Sequence, residues 1–230
     1  MTPVKSKIGE YWEKHVLSWE AGAYYDDRYL QPPSWWDRLS SLFRRDDMYR
    51  RMDAALEVLR PHLRGLRVLD VGCASGRFAL RLLEAGAAHV TGVDISAEAI
   101  EIANRRRAES ETPEKMTFFV ADVIHPERPL PQVDLVTALG VIEYFDAPSL
   151  LAFLRNLRTR YILFDFPDLA RKRDVLTWYL RQVYIKVNRC PGVYLYSRRE
   201  FRHLAAQAGF EGIWFTRRIK TYFATNLPQP

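Results

Sequence analysis

The chain has 230 residues, of which 48% are hydrophobic and 27% charged, enough for one large domain with its own core and incompatible with a disordered or fibrous protein. Its net charge of +6 admits an acidic partner such as RNA or a membrane surface, but the arginines are scattered along the whole chain, as on an ordinary solvated surface. Cys73 and Cys190 follow no metal or disulfide spacing, the N-terminus has charges and aromatics where a signal peptide is apolar, and no apolar run approaches about 18 residues. A cytoplasmic protein with no membrane span is expected.

In chain order, residues 8–20 place Ile8, Tyr11, Trp12, His15, Val16 and Trp19 at helical spacing, and Pro32 and Pro33 break the segment beyond them. Residues 1–45 are therefore expected to form a helical N-terminal cap on a domain spanning 46–230. A helix over 46–62 puts Met48, Met52, Ala55, Leu56 and Leu59 on one face, with Asp46 and Asp47 suited to its positive N-terminal end. Next comes a repeating pattern: strand 67–71, helix 76–86, strand 89–94, helix 97–108, strands 116–120 and 133–138, helix 148–157 and strand 160–165. The mainly apolar runs "VLDV", "VTGV" and "LVTAL" suit strands buried on both sides, and their alternation with amphipathic helices predicts a parallel sheet covered on both faces. "RREFRHLAAQAGF" reads as a helix closed by Gly209, and "GIWFTRRIKTYFA" as an antiparallel pair. Between the last strand of the pattern and that helix, 167–197 is an irregular aromatic insertion containing Trp178, Tyr179, Tyr184, Tyr194 and Tyr196.

The informative stretch is "VLDVGCASG", Val68 to Gly76, a buried strand running through a carboxylate into a loop of small residues. It lacks the G-x-G-x-x-G spacing of a dinucleotide loop, and Asp70 just before the turn would repel a phosphate. The triphosphate loop G-x-x-x-x-G-K-[ST] is absent as well. S-adenosylmethionine fits better, since it carries an ammonium and a sulfonium beside a carboxylate, so that an acidic group and bare backbone N–H groups are both useful.

This stretch resembles the first motif of the class I S-adenosylmethionine-dependent methyltransferases, and the likeness continues in order along residues 50–225. "VTGVDIS" ends its strand on Asp94, about 20 residues beyond the loop, where that family's acidic residue takes the ribose hydroxyls. "FFVADV" puts Asp122 where the family's polar residue meets the adenine amino group, and "VDLVTALGVIEYF" is similar to the fourth strand and its following loop. Ala74 stands where the family most often has glycine. The resemblance implies a Rossmann-like, doubly wound α/β fold with a mostly parallel seven-stranded sheet, its last strand antiparallel. It also implies a cofactor pocket of Asp70, Gly72, Cys73, Ala74, Gly76, Asp94, Ile95, Asp122 and Val123, with Leu139 and Gly140 at the junction with the acceptor.

The sulfonium is already electrophilic, so the enzyme need only align an acceptor and remove its proton where necessary. Candidates for that work are Glu143 in the loop after the fourth strand and, from the aromatic leader, His15 and Tyr24. His15 is the leader's only side chain whose unperturbed pKa lies near neutrality. The Asp and Asn cluster that holds magnesium in catechol-type methyltransferases and the N-P-P-Y signature are both absent, and "DFPD" at 165–168 reads as a turn. A fainter likeness, in the paired-Tyr leader, the "IEYF" loop and the "RRIKTYFA" ending, is to the magnesium-protoporphyrin carboxyl methyltransferases, which carry a histidine where this chain has Glu143. The expected activity is metal-independent methyl transfer to an oxygen or nitrogen of a small or sugar-like molecule. The alternatives are a methyltransferase acting on RNA or protein, and a non-catalytic module that binds S-adenosylmethionine.

Overall fold

The computed structural model of the protein describes residues 7–23, 45–166, 193–218 and 221–229. Two helices, α1 (Lys7–Ala23) and α2 (Arg45–Leu63), precede the sheet. Beyond them lie β1 (Arg67–Val71), α3 (Arg77–Glu84), β2 (His89–Asp94), α4 (Ala97–Ala108), β3 (Met116–Val120) and β4 (Leu135–Ala138). The chain then forms α5 (Ala147–Asn156), β5 (Tyr161–Asp165), α6 (Arg198–Gln207), β6 (Trp214–Arg218) and β7 (Thr221–Thr225).

Local chemistry sets several helix starts. Ser96 Oγ accepts from Ala99 N at 3.2 Å to cap α4, and Asp146 Oδ1 accepts from Ser149 N at 2.9 Å to cap α5. At α6 the cap is reciprocal: Glu200 N donates to Ser197 Oγ at 3.2 Å while Ser197 N donates to Glu200 Oε2 at 2.8 Å.

The seven strands form one sheet in the order β3-β2-β1-β4-β5-β7-β6. All neighbours among β1 to β5 pair in parallel, and β7 runs antiparallel to both β5 and β6. Successive strands step one way from β1 to β3, and the chain then returns to add β4 on the other side of β1. The switch point therefore lies between β1 and β4, and a crevice opens there outside the carboxyl ends of the strands.

Strict alternation along each strand divides the core in two. Val68, Val90, Met116 and Leu135 pack on one face with Leu56, Leu59, Phe78, Leu82, Ile100 and Ala103 of α2, α3 and α4. Leu69, Val71, Val93, Val136, Ile162 and Phe164 pack on the other with Phe153, Leu154, Phe201 and Ala205 of α5 and α6. Each fully buried Leu or Phe contributes about 1.5–3 kcal/mol, so these two layers hold the strand ends in place.

Element boundaries depart from expectation by one to three residues. α1 continues past residue 20, and α3 stops at Glu84. Strand β4 starts at Leu135 because Val133 N is spent on Arg158 O at 3.0 Å, outside the ladder. Tyr24, Tyr25 and the insertion up to residue 192, with Trp178, Tyr179, Tyr184 and Cys190, lie outside the described residues. Among the described residues no helix is long and apolar enough to cross a membrane.

Candidate active site

The loop 72–76 leaves β1 at the switch point. Gly72 has φ 68°, and a Cβ on it would lie 2.4 Å from Val141 Cγ2, so the loop passes flush against the segment after β4. The expected bare N–H groups are not available, which corrects the sequence reading. Gly72 N and Cys73 N both donate to Val93 O, at 2.8 and 3.1 Å, and Gly76 N donates to Cys73 O at 2.9 Å. Ala74 N donates to Asp94 Oδ2 at 2.9 Å and Ser75 N to Glu20 Oε1 at 3.4 Å. Cys73 is thus absorbed by the fold: its thiol is buried in the core, and burial together with the nearby charges of Asp94, Asp70 and Glu20 pushes that thiol well above its usual range. Ala74 occupies the left-handed region at φ 46°, where a glycine would be unstrained.

What surrounds the loop is acceptors. Asp70 is buried, its Oδ1 accepts from Thr137 Oγ1 at 3.0 Å, and its Oδ2 has no partner among the described residues. The pairing is a matter of register, since Asp70 and Thr137 lie opposite each other on β1 and β4. Burial, reinforced by the charge of Asp94, pushes the Asp70 carboxyl up to about 7. Asp94 closes β2, and its Oδ1 accepts from Ser96 N at 3.0 Å, so this carboxylate ties the loop after β1 to the start of α4. Its burial raises it too, against the pull of the backbone N–H groups it accepts from. Spare buried acceptors with every loop donor already spent suit a cationic group, and S-adenosylmethionine meets that requirement at both its ammonium and its sulfonium.

The remaining predicted cofactor residues fall around the same crevice. Ile95 is half-buried just beyond β2. Asp122 Oδ1 accepts from Ile124 N at 2.9 Å and His125 N at 3.4 Å, shaping the turn after β3. That turn is braced from α5 by Asn156 Nδ2, which donates to Val123 O and Ile124 O at 3.0 and 2.9 Å. Val123 is largely core, 8% exposed.

On the far side, β4 leads through Leu139 and Gly140 into a short turn, Ile142–Tyr144. A Cβ at Gly140 would lie 2.7 Å from Arg51 Nη1, and Arg51 pairs at 3.0 Å with Asp165 at the end of β5. "DFPD" therefore begins with an anchor for α2, which its reading as a turn missed. Glu143 is half-buried in this turn, and its carbonyl accepts from Tyr194 N at 2.7 Å. Tyr196 is a core residue whose hydroxyl donates to Phe145 O, so it braces the turn from inside, whereas Tyr194 is 42% exposed.

Helix α1 crosses this crevice. The Trp12 ring meets Tyr144 edge-on with centroids 4.9 Å apart, and His15 stacks on Tyr11 at 4.3 Å. Two turns along, Glu20 is buried against the glycine loop: Ser75 Oγ donates to its Oε1 at 3.0 Å. Burial pushes the Glu20 carboxyl up to about 7, opposed by its bonds to Ser75 and the charges of Arg77 and Arg106. Glu143 and His15 thus flank one cleft, while Tyr24 lies outside the described residues. Sequence reasoning missed Glu20, Thr137 and Arg51. Only Glu20 carried a signal, as an acid four residues beyond Val16 on the helix's apolar stripe.

A doubly wound sheet with a glycine loop at its switch point and carboxylates ending β1 and β2 defines a class I methyltransferase domain. Comparison bears this out: the methyltransferase-domain family matches residues 43–213, and the chain belongs to that family, whose cofactor is S-adenosylmethionine. It is 34% identical over 138 residues to the magnesium-protoporphyrin O-methyltransferase of Rhodobacter capsulatus, covering 59% of this chain and 60% of that protein. It is 31% identical over 110 residues to the 27-O-demethylrifamycin SV methyltransferase of Amycolatopsis mediterranei, covering 48% and 40%. The chain thus spans less than two thirds of the length of these curated relatives. In fold it is similar to magnesium protoporphyrin IX methyltransferase from Synechocystis, crystallised with S-adenosylhomocysteine, at a TM-score of 0.69, 20% identity and 95% coverage of both chains.

Proposed function

We propose that the protein transfers the methyl group of S-adenosylmethionine to an oxygen of a small-molecule acceptor, without a metal, in the cleft between the strand ends and α1. The observation that carries the reading is convergence: Asp70 at β1, Asp94 at β2 and the 140–145 turn after β4 meet beneath one helix, with Trp12 seated on Tyr144. The oxygen acceptor is supported by the relatives, one named magnesium-protoporphyrin O-methyltransferase and the other 27-O-demethylrifamycin SV methyltransferase.

When bound, the cofactor supplies a methyl group whose bond to sulfur breaks as a bond to the acceptor oxygen forms, leaving S-adenosylhomocysteine. The chain's own residues bind, orient and shield. Asp94 retains lone pairs that would hold the ribose hydroxyls and Asp122 ones for the adenine amino group, with the loop 72–76 nearest the amino-acid end. Ile95 and Val123 contribute apolar wall, with Leu139 and Gly140 where the methyl is presented. A hydroxyl acceptor must lose its proton, and Glu143, His15 and Tyr24 are the candidates to take it, whereas a carboxylate acceptor needs no base. Helix α1 acts as a lid, Trp12 and Tyr144 keeping water from the cleft.

The test supplies S-adenosylmethionine labelled on its methyl group, together with a desalted cell extract split by size, with and without a metal chelator. Chelator-insensitive label in the small fraction, on oxygen by mass spectrometry, is the expected result. Label in a nuclease- or protease-sensitive polymer would replace this reading with the macromolecular one. Cofactor binding without transfer to any fraction would favour a non-catalytic module.

A further inference from the structure

Helix α1 turns one charge inward. Trp12, Val16 and Glu20 succeed one another at four-residue spacing, with Val16 buried and Glu20 only 3% exposed. Glu20 Oε1 accepts from Ser75 Oγ and N, whereas Oε2 is fully buried with no partner among the described residues. The nearby guanidinium of Arg106 is spent on Ser75, Nε reaching its carbonyl at 2.9 Å and Nη2 its hydroxyl at 3.3 Å. The groups facing Glu20 are Ser75 of the loop, Arg77 at the start of α3 and Arg106 of α4, and its charge reaches Cys73, as do those of Asp70 and Asp94. Two of these acids, Glu20 and Asp70, hold back a buried oxygen, and a buried acceptor left unmade costs about 1–3 kcal/mol. Docking of the helix draws on Ser75 and on the charges of Arg77 and Arg106, yet leaves Oε2 without a partner among the described residues.

We infer that Glu20 is a cofactor-recognition residue: from α1 it receives the ammonium of the cofactor's amino-acid end, and so couples docking of α1 to occupancy of the pocket. The inference rests on the cofactor reading above and adds to it a residue outside the strand-end motifs. The ammonium would satisfy the orphan oxygen of Glu20, and a loop whose N–H groups are all spent offers it only acceptors. Cofactor and helix then stabilise each other's position, by equal amounts in each direction.

Calorimetric titration separates the possibilities with two ligands, S-adenosylhomocysteine, which has the amino-acid end, and 5′-methylthioadenosine, which lacks it. Glu20→Gln keeps the side chain's length and an acceptor for Ser75 but carries no charge. The expected result is at least a tenfold loss of affinity for S-adenosylhomocysteine, about 1.4 kcal/mol, with less than about a twofold change for methylthioadenosine. The unligated variant should melt no lower than wild type, so stability and binding move in opposite directions. Equal losses for both ligands would reduce Glu20 to a packing residue, and unchanged affinities would overturn its role outright. Wild-type protein that binds neither ligand would instead overturn the cofactor reading itself, and this inference with it. Should the variant not fold, wild type alone decides: near about pH 6.5, binding of S-adenosylhomocysteine but not of methylthioadenosine releases protons. Equal proton release with both ligands would refute the assignment.

Discussion

At Ala74, φ of 46° puts a Cβ where the left-handed region costs about 1–2 kcal/mol, and the residue is held there by its N–H bond to Asp94. Ala74→Gly relieves that strain. Thermal unfolding of the variant should rise by about 2–4 °C, corresponding to about 1 kcal/mol, and a lower melting temperature would show that the loop is not strained there. The alanine was visible in sequence as a departure from glycine, but its cost was not, because φ depends on where the loop must end. The same limit hid the partners of the acids. Asp70 stood out through its motif, whereas Thr137, 67 residues away, becomes its partner only through the β1–β4 register. Glu20 and Ser75, 55 residues apart, meet only when α1 crosses the sheet.

The elements were legible wherever a pattern is local. Mainly apolar runs marked β1, β2 and β4, and helical spacing marked α1, α2 and α6. The Ser197 to Glu200 capping box was also present in the sequence as Ser-x-x-Glu, a start signal that the irregular insertion before it obscured. How α1 is attached was not legible, and that attachment carries two predictions. Trp12→Ala removes an edge-on aromatic contact worth about 0.5–1.5 kcal/mol. Amide exchange should then quicken within α1 while that of β1 and β4 is unchanged; uniform protection in α1 would mean that Trp12 does not seat the helix.

The second concerns pH. Glu20 rises from 4.5 and Asp70 from 3.8, both to about 7, so between these limits the folded chain binds more protons than the unfolded one. Their contribution is fully present below the unfolded values and is lost as pH rises through about 7. Asp134, Asp146 and Glu200, held low by hydrogen bonds from Arg67, Ser149 and Ser197, act only at more acidic pH. The ligand-free melting temperature should therefore fall between about pH 5 and 8, less so with S-adenosylhomocysteine present. A rise with pH over that window would contradict the burial assigned to the two acids.

For the molecule as a whole, the sheet order matters more than any single motif. Parallel strands from β3 to β5 bring loops distant in sequence to one edge, two core layers hold that edge rigid, and α1 lies across it. Conserving that scaffold leaves the acceptor open, because the same fold serves many acceptors with different loops. On the proposed reading β1, β2 and β4 build one cofactor pocket, in which Asp94 would face the cofactor while holding the glycine loop. The most direct measurement is titration of S-adenosylhomocysteine into wild type and Asp94→Ala. Saturable binding that weakens at least about tenfold in the variant is predicted. Equal affinity for the two proteins, or no binding by wild type, would contradict the account.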